Sequence, residues 1–312
     1  MSAIEIRGVT KTFGDHVAVD DLTLDVPEGA IYGFIGPNGS GKTTTLRMIM
    51  NILLPDRGDI RVLGRAGTDA AHDDVGDLPE ERGLYRKMKV RRLLRYYGAL
   101  KNAPAAKIDG EIEFWLKRLD LEKWGDQRID ALSKGMSQKV QFIATVVAQP
   151  RIVILDEPFS GLDPVNADVL RDAVLELRRR GETIVFSTHD MGVAEKMCDR
   201  IFMIFRGRKV LDGTLDEIQS TYGHDTVRVR TGGGRAVLTG LEEVEAVSDY
   251  GNLQEVRLRG GADTEHAQRF LARLVERTPV YHFEVTRPSL HDVFVRIAKP
   301  DADPAAVASV GR

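Results

Sequence analysis

Apolar residues open the chain at alternating or near-alternating positions: Ile4, Ile6 and Val9, then Val17 to Val19, then Leu22, Leu24 and Val26. That period predicts short strands with an antiparallel start, separated by FGDH and closed by PEG. AIYGFIG is a compact apolar run leading into a glycine-rich loop, after which Leu46, Ile49, Met50 and Leu53 keep the i, i+3, i+4, i+7 stripe of a helix. From about Leu78 to Gln149 helical, charged segments dominate, with VRRLLRYYGALK and GEIEFWLKRLDL the clearest. Two strand–helix units then return. RIVILDE precedes a helix from Pro164 to about Arg180 with Gly181 at the C-cap position, and TIVFSTHD precedes a helix that ends near CDRIFMIFRGRKV. The pattern is an α/β domain over residues 1–221 that carries a helical insertion at about 80–148.

The texture changes after YGHDT: TVRVR, AVLTG and LQEVRLRG read as strands, TEHAQRFLARLVERT as a helix and VYHFEVT as a further strand. A smaller α+β domain over 222–299 is expected, followed by a disordered tail at 300–312, where small, polar and proline residues cannot build a core. A chain of 312 residues matches about two such domains.

Charge narrows the function. With 44 Lys+Arg against 47 Asp+Glu, the chain has no global basic field for a nucleic-acid backbone or an anionic membrane, so no nucleic-acid partner is expected. The one cysteine, Cys198, excludes an internal disulfide and reads as a small buried filler. MSAIEIRGVT lacks the succession of a secretory signal, and the longest apolar runs, such as IFMIF, fall far short of the ~20 residues that cross a bilayer. Action at a membrane therefore calls for another polypeptide to do the spanning.

The strongest chemical signal is GPNGSGKT, which fits the phosphate-loop pattern G-x-x-x-x-G-K-[ST] between a strand and a helix. Its residues Gly36, Pro37, Asn38, Gly39, Ser40, Gly41, Lys42, Thr43 and the following Thr44 are the nucleotide-binding candidates. The glycines let the backbone turn its N–H groups inward at a helix N-terminus, Lys42 reaches the β/γ phosphates, and Thr43 offers a hydroxyl oxygen to Mg2+. IVILDEP reads as a buried parallel strand ending in two acids at the sheet's carboxyl edge. Asp156 is the candidate metal holder and Glu157 the candidate base for the attacking water. In SGLDP, Asp163 caps a helix begun by Pro164, and His189 in STHD follows another apolar strand, at a place suited to a phosphate oxygen.

GPNGSGKT, LSKGM, IVILDEP, SGLD and STHD stand in the order of an ABC transporter ATP-binding subunit, and the chain resembles that family from about Ile4 to Ile218. LPEERGLYRKMKV and LSKGMSQKVQ are similar to the bacterial ABC-2 type export branch, as RPSLHDVFVRI is to its small accessory domain. The resemblance implies a phosphate-loop NTPase core with an antiparallel β edge. It implies that ATP and Mg2+ are the cofactors and that two copies close head to tail as a homodimer around two ATP molecules. A separate transmembrane permease subunit then places the protein on the cytoplasmic face of the membrane. It also implies that Ser133 and Gly135 of LSKGM serve the γ-phosphate held by the other copy, that Asp163 of SGLD belongs to the nucleotide site, and that Phe13 of TKTFG stacks on adenine beside Val17 and Val19.

Three positions depart from the family pattern. Lys134 and Met136 replace the first glycine and the glutamine of LSGGQ, and Glu80 stands where the family presents Gln. A carboxylate at 80 either binds Mg2+ or pairs with Arg82 or Arg86. The rival reading is a soluble ABC ATPase acting on a macromolecular complex; such chains carry two cassettes or a long coiled-coil insertion, and neither pattern is present here. Cargo and the role of the accessory domain are not written in these motifs.

Overall fold

In the computed structural model, which describes residues 1–66, 72–80, 83–222 and 225–298, the alternating start of the chain folds as β1 (Ser2–Phe13) and β2 (His16–Pro27), paired antiparallel. Val17–Val19 and Leu22–Val26 are one strand rather than two, because Asp21 takes a left-handed turn at φ 48° and the register slips around it without ending the pairing. Next come β3 (Ile31–Ile35), α1 (Lys42–Ile49), β4 (Arg57–Val62), β5 (Arg65–Ala66) and β6 (Val75–Leu78). The insertion supplies α2 (Val90–Leu100), α3 (Ala105–Arg118) and α4 (Lys134–Val146). The two strand–helix units are β7 (Ile152–Asp156) with α5 (Pro164–Arg180) and β8 (Thr183–Thr188) with α6 (Met191–Met197); β9 (Arg200–Phe205) and β10 (Arg208–Gly213) follow.

Two sheets result. The order β2-β1-β4-β5 makes an antiparallel edge sheet, and β10-β9-β3-β8-β7-β6 makes a main sheet in which all neighbours but β10 run parallel. Strands β3, β7 and β8 are buried at every residue, as parallel strands covered on both faces must be. Period-two geometry divides their side chains between two cores. Ile152 and Ile154 pack with Tyr32, Phe34 and Leu46 beneath the edge sheet, whereas Val153 and Leu155 pack with Leu93, Trp115 and Phe142 of the insertion. The acids that follow β7 are thereby clamped from both sides. Cys198 packs beside the insertion-side core, and burial raises its thiol far above the usual range, which suits a filler.

The chain divides after Gly213, earlier than the 221/222 boundary read from composition. Helix α7 (Leu215–Thr221) goes with the second unit because Gln219 donates to the Pro288 carbonyl and Asp216 pairs with Arg287. Strands β11 (Thr226–Thr231), β12 (Val244–Asp249), β13 (Gln254–Leu258) and β14 (Val280–Thr286) form a sheet in the order β12-β13-β11-β14, with helices α8 (Thr264–Arg277) and α9 (Leu290–Ala298). AVLTG is not a strand. Gly234 at φ 56° starts a short 3-10 turn through Val237, which lets Leu238 and Leu241 enter the core three residues apart. The expected tail at 300–312 lies outside the described residues.

Within this unit Glu255 is buried beside Arg228, whose Nε donates to Glu255 Oε1 at 2.7 Å, and beside the acid Asp292. Burial first, then Asp292, push the Glu255 carboxyl up from 4.5 to about 7. The folded unit then holds a proton that the unfolded chain has lost, so this group makes stability fall as pH rises across that window. Thermal melts of the chain between pH 4.5 and 7 are expected to show that fall, and Glu255→Gln, which cannot ionise, is expected to flatten it; an unchanged slope overturns the assignment.

Candidate nucleotide site

The turn from β3 into α1 is possible only with glycine at two points. A Cβ at Gly36, φ 153°, would lie 2.3 Å from the Ile204 carbonyl oxygen, and one at Gly41, φ 111°, would lie 2.5 Å from the Ala18 carbonyl oxygen. The loop so formed hands its chain to α1, whose first N–H groups lack intrahelical partners and carry the positive end of the helix dipole. Lys42 is buried, and its Nζ donates to the carbonyls of Gly36 at 2.8 Å and Pro37 at 3.1 Å. Burial lowers its affinity for the proton, while Glu157, Asp156 and Glu80 act in the opposite direction. The Ser40 hydroxyl is buried with no hydrogen-bond partner among the described residues, a polar atom left for an incoming acceptor or water.

Sequence-distant acids meet this loop because β7 and β8 are neighbours in the sheet. Glu157 leaves β7 in a left-handed conformation, φ 48°, held by its N–H to the Ser187 hydroxyl at 3.0 Å. The same hydroxyl donates to Asp156 Oδ1. Glu157 Oε1 lies 2.9 Å from His189 Nδ1 and 4.0 Å from Lys42 Nζ, so His189 meets the acid before any phosphate.

A cavity of about 480 Å3 collects these groups: Phe13, Asn38, Gly39, Gly41, Lys42, Thr43, Thr44, Glu80, Glu157 and His189 all line it. Gly36, Pro37 and Ser40 form the back of the loop, and Asp156 lines the adjoining cavity. Ser133, Gly135 and Asp163 stand outside the phosphate-loop cavity of their own chain. Ser133 accepts from the Met136 N–H at 3.2 Å and Asp163 from the Asn166 N–H at 3.0 Å, so both are helix caps here, with those bonds holding the Asp163 carboxyl below its ordinary range. Val19 is fully buried in the core, and Ala18 takes the wall beside Phe13 instead, since strand alternation turns the neighbour outward. Glu80 makes no ion pair with Arg86, and Arg82 lies outside the described residues.

The donor set fits a polyphosphate with Mg2+: a hard cation of this kind takes one or two side-chain oxygens and completes its shell with phosphate and water. Thr43 and Asp156 flank the loop as such donors, and among the described residues no three His, Cys, Asp or Glu side chains are grouped so as to hold a metal ion by themselves.

A phosphate loop, two acids at the end of a parallel strand of the same sheet and a capped LSKGM helix on one chain agree with what the comparisons give. A family model described as ABC transporter matches residues 19–160, and one described as the C-terminal domain of DrrA1-3-like ATP-binding proteins matches residues 213–298. An ABC transporter ATP-binding protein of Bacillus subtilis (strain 168), YhaQ, is 39% identical over 94% of this chain and 97% of its own. The chain belongs to the ABC transporter ATP-binding proteins. The Nod factor export ATP-binding protein I of Rhizobium sp. (strain N33) is 32% identical over 95% of this chain and 96% of its own. A solved ATP-binding subunit of an ABC transporter superposes with a TM-score of 0.67 at 29% identity, covering 71% of this chain and 93% of that one. The ABC subunit described here is accordingly an ATPase that powers a transporter, and no helix among its described residues is long and apolar enough to cross a membrane.

Three residues that line this ABC cavity or brace the groups in it escape a motif reading. His16 lines it from the far side of the β1–β2 turn. Ser187 is visible in STHD only as a strand residue. Asp56 receives the Thr12 N–H and hydroxyl, both at 2.7 Å, and Lys11 Nζ at 2.8 Å, which pins the segment that carries Phe13 and holds the Asp56 carboxyl down at about 2. The Phe13 ring is 48% exposed, leaving a flat face available to a base. Asp56→Ala is expected to loosen that segment, raising the KM for ATP about tenfold with kcat within about twofold; an unchanged KM in steady-state ATPase assays removes Asp56 from the binding role.

Proposed function

We propose that this ABC subunit works as a head-to-tail homodimer in which each phosphate-loop cavity is completed by Ser133 and Gly135 of the second copy. The observation that carries the reading is the separation just described: LSKGM opens a capped helix yet stands apart from the cavity of its own chain. Phe13 stacks on adenine, the loop amides and Lys42 take the β/γ phosphates, and Glu157, steadied by His189, accepts a proton from the attacking water. Thr43 and Asp156 would hold Mg2+, with Glu80 as a further candidate; when bound, it neutralises phosphate charge. Asp163 sits between the two functions, capping α5 and bringing SGLD to the dimer face.

The partner proposed is a separate transmembrane permease, which places the subunit at the cytoplasmic face of the membrane. Export is the direction favoured, supported by the full-length likeness to a Nod factor export ATP-binding protein. The second unit, matched by the DrrA-like C-terminal model, serves as an added dimer contact or regulatory platform.

Glu157→Gln is expected to lower ATP turnover by at least about a hundredfold while leaving Mg-ATP binding intact, and to accumulate an ATP-dependent dimer by light scattering. The trapped variant, purified from host membranes, is expected to bring a stoichiometric multi-spanning polypeptide. Undiminished hydrolysis removes Glu157 as base; a dimer that brings a soluble machine instead transfers the function to a non-transport complex.

A further inference from the structure

Two positions that break the family pattern, Glu80 and Lys134, lie 54 residues apart in sequence, and the fold brings both to one cavity of about 360 Å3. Its other polar walls are Asp156, Glu157, Gln138, Gln141 and Ser160. Glu80 and Glu157 also line the phosphate-loop cavity, so the two spaces share an acidic partition. Three carboxylates therefore border the second cavity, and Lys134 is the cation among its lining residues.

Lys134 stands in the first turn of α4, exposed, with its Nζ 3.2 Å from where a Cβ on Gly161 would be. Gly161 is left-handed, φ 68°, so the ammonium occupies room that a side chain at 161 would fill. No carboxylate oxygen among the described residues comes within 4.0 Å of that Nζ, so its charge is not consumed by a direct ion pair. Lys42 meets the acidic partition from the phosphate side, its ammonium under the influence of Glu80, Asp156 and Glu157. Lys134 meets the same partition from the insertion side.

A carboxylate at position 80 in place of an amide adds a negative charge beside a polyphosphate, and a lysine in place of a glycine at 134 cancels it across the same cavity. We propose that Lys134 is a positioning residue for Glu80, offsetting the charge of that carboxylate across the shared cavity so that it repels the phosphates less. The pair ties the first turn of α4 to the acid that borders the phosphate loop. At separations beyond a direct ion pair, one unit charge in a protein surround shifts an equilibrium on the order of tenfold. The exposed end of the pair makes that shift sensitive to salt.

This inference rests on reading the phosphate-loop cavity as the Mg-ATP site, which Mg-ATP titration of the parent chain by calorimetry tests separately; no binding by the parent sinks both. With binding in the parent, Lys134→Gln is expected to weaken Mg-ATP about tenfold at low salt and far less at 0.5 M salt, on the order of one Debye length of about 4 Å. Lys134→Arg is expected to bind as the parent does. The decisive comparison is made in a Glu80→Gln background, where adding Lys134→Gln is expected to change affinity by less than about threefold. Circular dichroism melts check that each exposed-site variant is folded. Parent-like binding by Lys134→Gln, a loss that persists at high salt, or an undiminished loss from Lys134→Gln in the Glu80→Gln background overturns the proposal.

Discussion

A buried ammonium held among carboxylates is the constraint on which the rest of the molecule turns. Lys42 sits where burial works against its charge, and it keeps company with Glu157, Asp156 and Glu80, which offset that effect in part. None of these acids is near it in sequence. They arrive because β6 and β7 run parallel to β8, which pairs with β3, so that the strands end at one edge. The carbonyls of Gly36 and Pro37 hold Nζ in the loop. Polyphosphate offers the same ammonium a denser set of anionic oxygens, so the site is arranged to exchange one set of counter-charges for another at little cost in side-chain ordering.

Much of this was legible in the sequence where chemistry is local. The phosphate loop, the double acid after an all-apolar strand, the Ser133 and Asp163 caps and the C-cap at Gly181 depend on residues within a few positions of one another, and each is built as its spacing implies. What escaped depends on distant pairing. Asp56 follows a helix and a turn, and nothing in its own segment tells that it receives the Thr12 N–H. Val19 and Ala18 exchange roles because strand phase, which decides which side faces the core, is reset by the left-handed Asp21. AVLTG carries strand-like residues, but glycine on both flanks and a leucine spacing of three favour a tight turn. The helix α7 reads as a continuation of the first unit until its bonds to Pro288 and Arg287 are seen.

The acids are also not free to move independently. One hydroxyl, Ser187, receives the Glu157 N–H and donates to Asp156, so the candidate base and the candidate metal holder share a fixed point on β8. Alternate residues of β7 are packed into opposite cores, which resists rotation of the strand about its axis. A left-handed residue at Glu157 carries backbone strain, and such strain persists only where its surroundings over-determine it, as these contacts do.

The other boundary of the acidic partition is held differently. Gln138, one turn into α4, donates its amide to the Pro158 carbonyl, and Lys134 from the same helix lines the cavity behind Glu80. One wall of the site is thus a sheet edge and the opposite wall is the first turns of a helix whose Phe142 and Ile143 share a core with Val153 and Leu155 of β7. A displacement of α4 bears on Pro158 through Gln138 and on the charge balance around Glu80 through Lys134, next to the candidate base. Coupling between nucleotide and helical insertion requires just such an element, one that both the occupied site and the moving helix can bias.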